Sequence, residues 1–164
     1  MTREPTRVDR ATAKANDDFI DLRTLSGYRL SLLDPAGKHY HFAPAVSDVE
    51  LGSAVVDVLA ASRFMEPGEA TALRANVEKL YEDWVAATIS HHQYKNRRGL
   101  FRSMRSCSIE RTGDVIRIIP SCHEKLEGWS GDGIALEDHV IVSSGQPAGE
   151  IGAALRLAFD RCIP

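Results

Sequence analysis

The chain has 164 residues and a net charge of −3, with 20 Lys and Arg against 23 Asp and Glu. That length suits one domain, and so small an imbalance excludes bulk electrostatic attraction to nucleic acid or a membrane surface. An apolar share of 43% beside 26% charged residues excludes wholesale disorder, and the longest apolar stretch, Ala54–Ala61, is too short to span a bilayer.

Residues 1–17 carry many charges and almost no apolar side chain, which predicts a flexible charged tail ahead of a single domain over 18–164. Arg3, Glu4, Arg7, Asp9 and Arg10 stand where a secretory signal needs its apolar core. Cys107, Cys122 and Cys162 cannot all pair within one chain, so reduced thiols and a cytoplasmic location are expected.

Order is expected to begin near Phe19 and Ile20. Tyr28, Leu30 and Leu32 alternate with Arg29 and Ser31, and residues 38–42 alternate again around Tyr40 and Phe42. With Asp34-Pro35-Ala36-Gly37 between them as a type I turn, the two runs predict a hairpin. Ser47-Asp48-Val49-Glu50 has the spacing of a capping box and opens a helix with Leu51, Val55, Val58, Leu59 and Ser62 on one stripe. A second helix is expected from Pro67, with Leu73, Val77, Leu80, Tyr81, Trp84 and Thr88 on its apolar face, running to His91 and His92.

The stretch 94–105 is basic, through Lys95, Arg97, Arg98, Arg102 and Arg105. Cys107–Arg111 and Val115–Ile119 predict a second hairpin turning at Thr112-Gly113-Asp114. A strand over His139–Val142 precedes a last helix from Pro147 with Ile151, Leu155, Ala158, Phe159 and Cys162 on its stripe. Glu50-Leu51-Gly52-x-Ala54 recurs as Glu150-Ile151-Gly152-x-Ala154, a small-residue patch that would let each helix lie close on a sheet. The fold class predicted is α+β: one largely antiparallel sheet built from hairpins, with about three helices on one face.

The segment Pro120–Asp138 has no clear period and holds three glycines around Trp129. It is acidic, which suggests either an Ω-loop or a binding loop. His123-Glu124 is not a zinc-protease motif, because Glu127 stands where the second histidine is required. His39 with His41, and His91 with His92, lack a third and fourth ligand at metal-site spacing, so no metal and no cofactor are expected. Cys122 beside His123 is poor evidence for a catalytic dyad, and no catalytic residue is assigned. Two alternatives stay open. One is a small metal-dependent nuclease or hydrolase using the acidic loop. The other is a nucleic-acid-binding domain using 94–105, although pairing of those arginines with acids of the same chain is the simpler account.

Three blocks carry a resemblance: Leu100–Ile109 (LFRSMRSCSI), His123–Ile134 (HEKLEGWSGDGI) and Glu150–Phe159 (EIGAALRLAF), with Glu50–Phe64 fitting the same pattern. Together they resemble the immunity proteins of bacterial contact-dependent growth inhibition (CDI) systems over roughly residues 19–163. The resemblance implies a non-enzymatic cytoplasmic protein. It would bind the C-terminal toxin domain of a large exported effector one-to-one, and neutralise it by covering its active site or substrate surface. Such toxins are commonly nucleases. No nucleic-acid, membrane or small-molecule partner is implied.

A nuclease presents a basic surface, so its inhibitor should offer carboxylates and an aromatic anchor. The acidic loop supplies them: Glu124, Glu127, Asp132, Glu137 and Asp138, with Trp129 as the anchor.

Overall fold

Residues 9–15 alternate alanine with charged or hydroxyl side chains. In the computed structural model, which describes residues 7–164, they form a strand, β1 (Asp9–Ala15). Ala11, Ala13 and Ala15 face a buried interior, while Arg10, Thr12 and Lys14 point to the other side. The strand pairs along its length with β2 (Ile20–Gly27) on one side and β5 (Arg105–Thr112) on the other. The expected tail is therefore, over residues 9–15, the middle of the sheet; residues 1–6 lie outside the described residues. Alanine is too weakly apolar for its alternation to stand out against the charges around it.

The outer edge of β2 is shared end to end by β3 (Ser31–Leu33) and β4 (His39–Phe42). The first expected hairpin is thus corrected, because its two arms pair with β2 and not with each other. The Asp34–Gly37 turn is present, with Gly37 N–H donating to the Asp34 carbonyl at 3.0 Å. Buried Asp34 accepts from Ser26 Oγ at 2.6 Å and from two nitrogens of Arg63 at 2.8 Å, which ties this turn to the chain beyond the first helix. Past β5 the sheet continues through β6 (Val115–Ile119), joined to β5 by the expected tight turn with Gly113 at φ +60°. Gly113 supplies a left-handed conformation at no steric cost. Two short strands, β7 (Cys122–Lys125) and β8 (Gly128–Ser130), form a separate hairpin inside the segment that showed no period. A 3-10 turn at Leu136–Asp138 leads to β9 (Val140–Ser143), which pairs with β6. All pairings in the main sheet are antiparallel, and the α+β architecture is the expected one.

Helix α1 (Asp48–Ala60) starts as its sequence predicts, with Ser47 Oγ accepting from Glu50 N–H at 3.1 Å. It shares the alanine face of the sheet with the last helix, named α4 here once α2 (Pro67–His92) and α3 (Arg97–Phe101) are counted, which spans Ala148–Asp160. Leu51, Val55, Val58, Ile151 and Leu155 are fully buried there with Leu22, Ile109, Ile116 and Ile118. Each such side chain contributes about 1.5–3 kcal/mol through its removal from water. Helix α2 packs on the opposite face, where Trp84 and Val85 join Phe19, Leu100, Phe101 and Met104 in a second cluster edged by Trp129. Helices therefore cover both faces, where the sequence suggested one.

The repeated glycines solve a different problem from the one expected. A Cβ on Gly52 would lie 1.7 Å from the Ala148 carbonyl oxygen, and one on Gly152 would lie 2.0 Å from that of Asp48. The two helices cross with their first turns in backbone contact, each glycine facing the first residue of the other helix. Helix rests on helix, and the motif recurs because the crossing is nearly symmetric. Gly152→Ala should therefore destabilise the protein by about 2 kcal/mol in denaturant unfolding, overpacking outweighing alanine's helix propensity. Gly68→Ala in α2, where nothing among the described residues lies within 4 Å of the added Cβ, should be neutral or mildly stabilising. Equal behaviour of the two variants would refute the account of the crossing.

Candidate functional site

The face of the sheet turned toward α2 carries polar side chains in register. Across the strands, His41, Asp21, Lys14 and Ser106 form one row, and His39, Arg23, Thr12 and Ser108 the next. Asp21 and Arg23 sit two apart in β2, so they share this face, and both are buried. Such a row needs internal partners, and α2 provides one: Trp84 Nε1–H donates to Asp21 Oδ2 at 3.2 Å. His39 Nε2 lies 2.7 Å and His41 Nδ1 2.8 Å from the same oxygen, while Arg23 Nε lies 3.4 Å from Oδ1. Burial alone would raise the pKa of Asp21. Hydrogen bonds from His39 and His41, with the charges of His39 and Arg23, outweigh it and hold the carboxyl well below the usual range. On its other side, burial with Arg23 nearby pushes the Lys14 ammonium down to about 8.

Arg23 and His41 from this face line the floor of a groove of about 680 Å³ between α2 and the β3–β4 edge. Leu80, Trp84, Ala87 and Thr88 make one wall, and the Asp34–Lys38 turn with Leu33 and His39 makes the other. The lining is mostly apolar, with a few convergent polar groups, which is the composition of a binding cleft. The Arg23 guanidinium lies 4.5 Å over the Trp84 ring, and among the described residues its buried Nε meets Asp21 as an ion pair without a hydrogen bond of good geometry.

At one end of the groove β4 meets the end of α2. His41 Nε2 lies 2.8 Å from His92 Nε2, and His91 closes the group. Sequence spacing kept the two histidine pairs apart; the pairing of β4 with β2 and the return of α2 bring them together. A weak signal for the groove was present in Ile20–Leu25, where Asp21 and Arg23 alternate with Ile20, Leu22 and Thr24. Nothing local marked those charges as buried.

The structure separates the six acidic-loop residues. Glu127, in the β7–β8 turn, accepts from Tyr81 Oη at 2.8 Å and from Arg97 at 2.5 and 2.9 Å. Trp129 caps the second core: its Nε1–H donates to the Met104 carbonyl at 3.1 Å, His123 stacks on it at 4.8 Å, and Lys14 Nζ lies 4.0 Å over the ring. Both side chains already have partners within the molecule. Asp138 Oδ2 caps the 3-10 turn through Ala135 N–H at 2.8 Å. Glu124, Asp132 and Glu137 are exposed, and among the described residues their carboxylates enter no ion pair.

In the basic stretch, Arg97 binds Glu82 as well as Glu127, which is the structural role expected for it. His123 Nε2 lies 2.9 Å from the Leu126 carbonyl, so the ring belongs to the hairpin and not to a dyad with Cys122. The three cysteines are free thiols; Cys107 and Cys162 are buried with their sulfurs 3.7 Å apart. No helix among the described residues is long and apolar enough to cross a membrane.

The sequence profile of the CDI immunity protein family matches residues 9–162, that is, from the first residue of β1 to just beyond α4. The chain belongs to this family. A curated member, the immunity protein CdiI-YPIII of Yersinia pseudotuberculosis serotype O:3 (strain YPIII), is 42% identical over 167 aligned positions, covering 93% of this chain and 94% of that one. Among solved structures, a chain of the CdiA-CT/CdiI toxin and immunity complex from Yersinia pseudotuberculosis superposes with a TM-score of 0.87 at 37% identity, covering 96% of this chain and 98% of that one. NMB0488 from Neisseria meningitidis, described as a protein of unknown function, also gives 0.87, at 32% identity with 99% of both chains covered. The likeness to CDI immunity proteins thus includes β1, beyond the limits that the sequence blocks suggested.

Proposed function

We propose that this CDI immunity protein neutralises the C-terminal toxin domain of its own effector by binding it one-to-one in the cytoplasm, without catalysis. The carrying observation is the full-length likeness to a chain solved within a toxin and immunity complex. The groove under α2 is the surface best built for the contact. It is concave and mostly apolar, and its floor holds Arg23 stacked on Trp84. The exposed carboxylates Glu124, Asp132 and Glu137 would lie at the rim of the complex, where they would steer a basic nuclease surface. Glu127, Trp129 and Asp138 hold the scaffold that presents them.

Ala87, exposed on the groove wall, offers the test. Ala87→Arg should fill the groove without disturbing either core, weaken the purified toxin–immunity complex at least 100-fold, and abolish rescue of cells expressing the toxin. Alanine replacements of Glu124, Asp132 and Glu137 should each cost less than about 1 kcal/mol, mainly through slower association at low salt. The opposite ranking would place the interface on the acidic loop. A toxin that forms no complex with the wild-type chain would remove the reading altogether.

A further inference from the structure

We propose that His41, His91 and His92 form a binding site for a divalent transition-metal ion with the ligand preferences of zinc. The site lies where β4 meets the C-terminal turn of α2, at the end of the groove. It does not depend on the toxin reading.

One nitrogen from each of the three rings lies within 4.8 Å of the other two, and His41 Nε2 and His92 Nε2 are 2.8 Å apart. Tetrahedral zinc with bonds of about 2.0–2.1 Å sets its nitrogens roughly 3.3 Å apart, so His41 and His92 would part by about half an ångström while His91, at an exposed position, would close by up to about 1.5 Å. The protonation of His41 suits an ion, and His92 would release its Nε2 proton on binding. Asp21 is a buried carboxylate 2.8 Å from His41 Nδ1, so Nδ1 carries the proton and Nε2 directs its lone pair at His92. Ligand histidines are oriented in this way, by a carboxylate behind the ring that fixes the tautomer and raises its basicity. Asp21 is itself held by His39 and Trp84.

Two further features favour a cation. His91 and His92 occupy the last turn of a 26-residue helix, whose carbonyl end carries negative partial charge. Phe19 stacks on His41 at 4.6 Å and on His92 at 5.0 Å, so both rings are ordered before any ion arrives. His91 is exposed, which leaves the fourth position open to water. Three imidazoles select zinc, cobalt, nickel or copper over the oxygen-seeking magnesium and calcium.

Titrating the chelator-treated full chain with Zn²⁺ tests this by calorimetry, and Co²⁺ tests it by visible absorption. One ion per chain should bind at micromolar concentration or tighter, raise the Tm, and give the intense bands of tetrahedral cobalt. Mg²⁺ should do neither. His91→Ala, at an exposed position, should weaken Zn²⁺ binding at least 10-fold while leaving the metal-free Tm unchanged, and His92→Ala should do the same to binding. His123→Ala, on the β7–β8 hairpin, should have no effect on it. Absence of saturable binding below about 100 μM would overturn the proposal, as would full-strength binding in both α2 variants.

Discussion

A chain that begins at Asp17 is expected to show no cooperative unfolding transition and no toxin binding. It lacks β1, which makes six residue pairs with β2 and seven with β5. Its removal would leave the β2 and β5 edges open at the centre of the sheet, with α1 and α4 resting over the gap. Ala11, Ala13 and Ala15 would also be lost from the main core. Native domains are stable by only about 5–15 kcal/mol, and the loss of a central strand exceeds that margin. Circular dichroism with thermal scanning would decide it, with a chain starting at Arg7, which keeps β1 whole, as the control. A cooperative transition within a few degrees of the control would show that the strand is dispensable.

Asp21→Ala should lower stability by about 3–5 kcal/mol, because it strips a buried charge from partners that remain. Arg23 would keep its buried guanidinium with no carboxylate nearby, and Trp84 Nε1–H and both imidazoles would lose their acceptor. Asp21→Asn, which keeps the volume and one carbonyl oxygen, should cost less. The same residue sets a pH dependence. The folded-state pKa of Asp21 lies well below its unfolded value, so its contribution is complete above about pH 4 and is lost as the pH falls further. In urea unfolding at pH 5, 4 and 3, the gap between wild type and Asp21→Asn should be largest at pH 5 and narrow below about pH 4. A gap that is constant down to pH 3 would show that the carboxylate is not held by its neighbours as described.

Both effects arise in the part of the chain that is hardest to read. Helix α1, the bend at Gly113, the long α2 and the stripe on α4 follow from signals spanning a few residues: a capping serine, a turn glycine, apolar spacing. Those signals act through backbone geometry within one or two turns, so they persist whatever the rest of the molecule does. The blocks at 100–109, 123–134 and 150–159 carried the family for a related reason, since the end of α3, the β7–β8 hairpin and α4 are parts of the scaffold.

By itself, then, the sequence determined the antiparallel α+β class, most of the helices, the β5–β6 hairpin and membership of the CDI immunity proteins. Tertiary structure alone decided that β1 and β2 lie at the heart of the sheet. Alanines are buried there because two helices cross above them, and Asp21 and Arg23 are buried because Trp84 covers them from a helix about sixty residues away. It also decided that Glu127 and Trp129 bind within the molecule, and that His41 meets His91 and His92. A charge is tolerated inside a protein only through partners, and partners distant in the chain leave no periodicity in the residues between them.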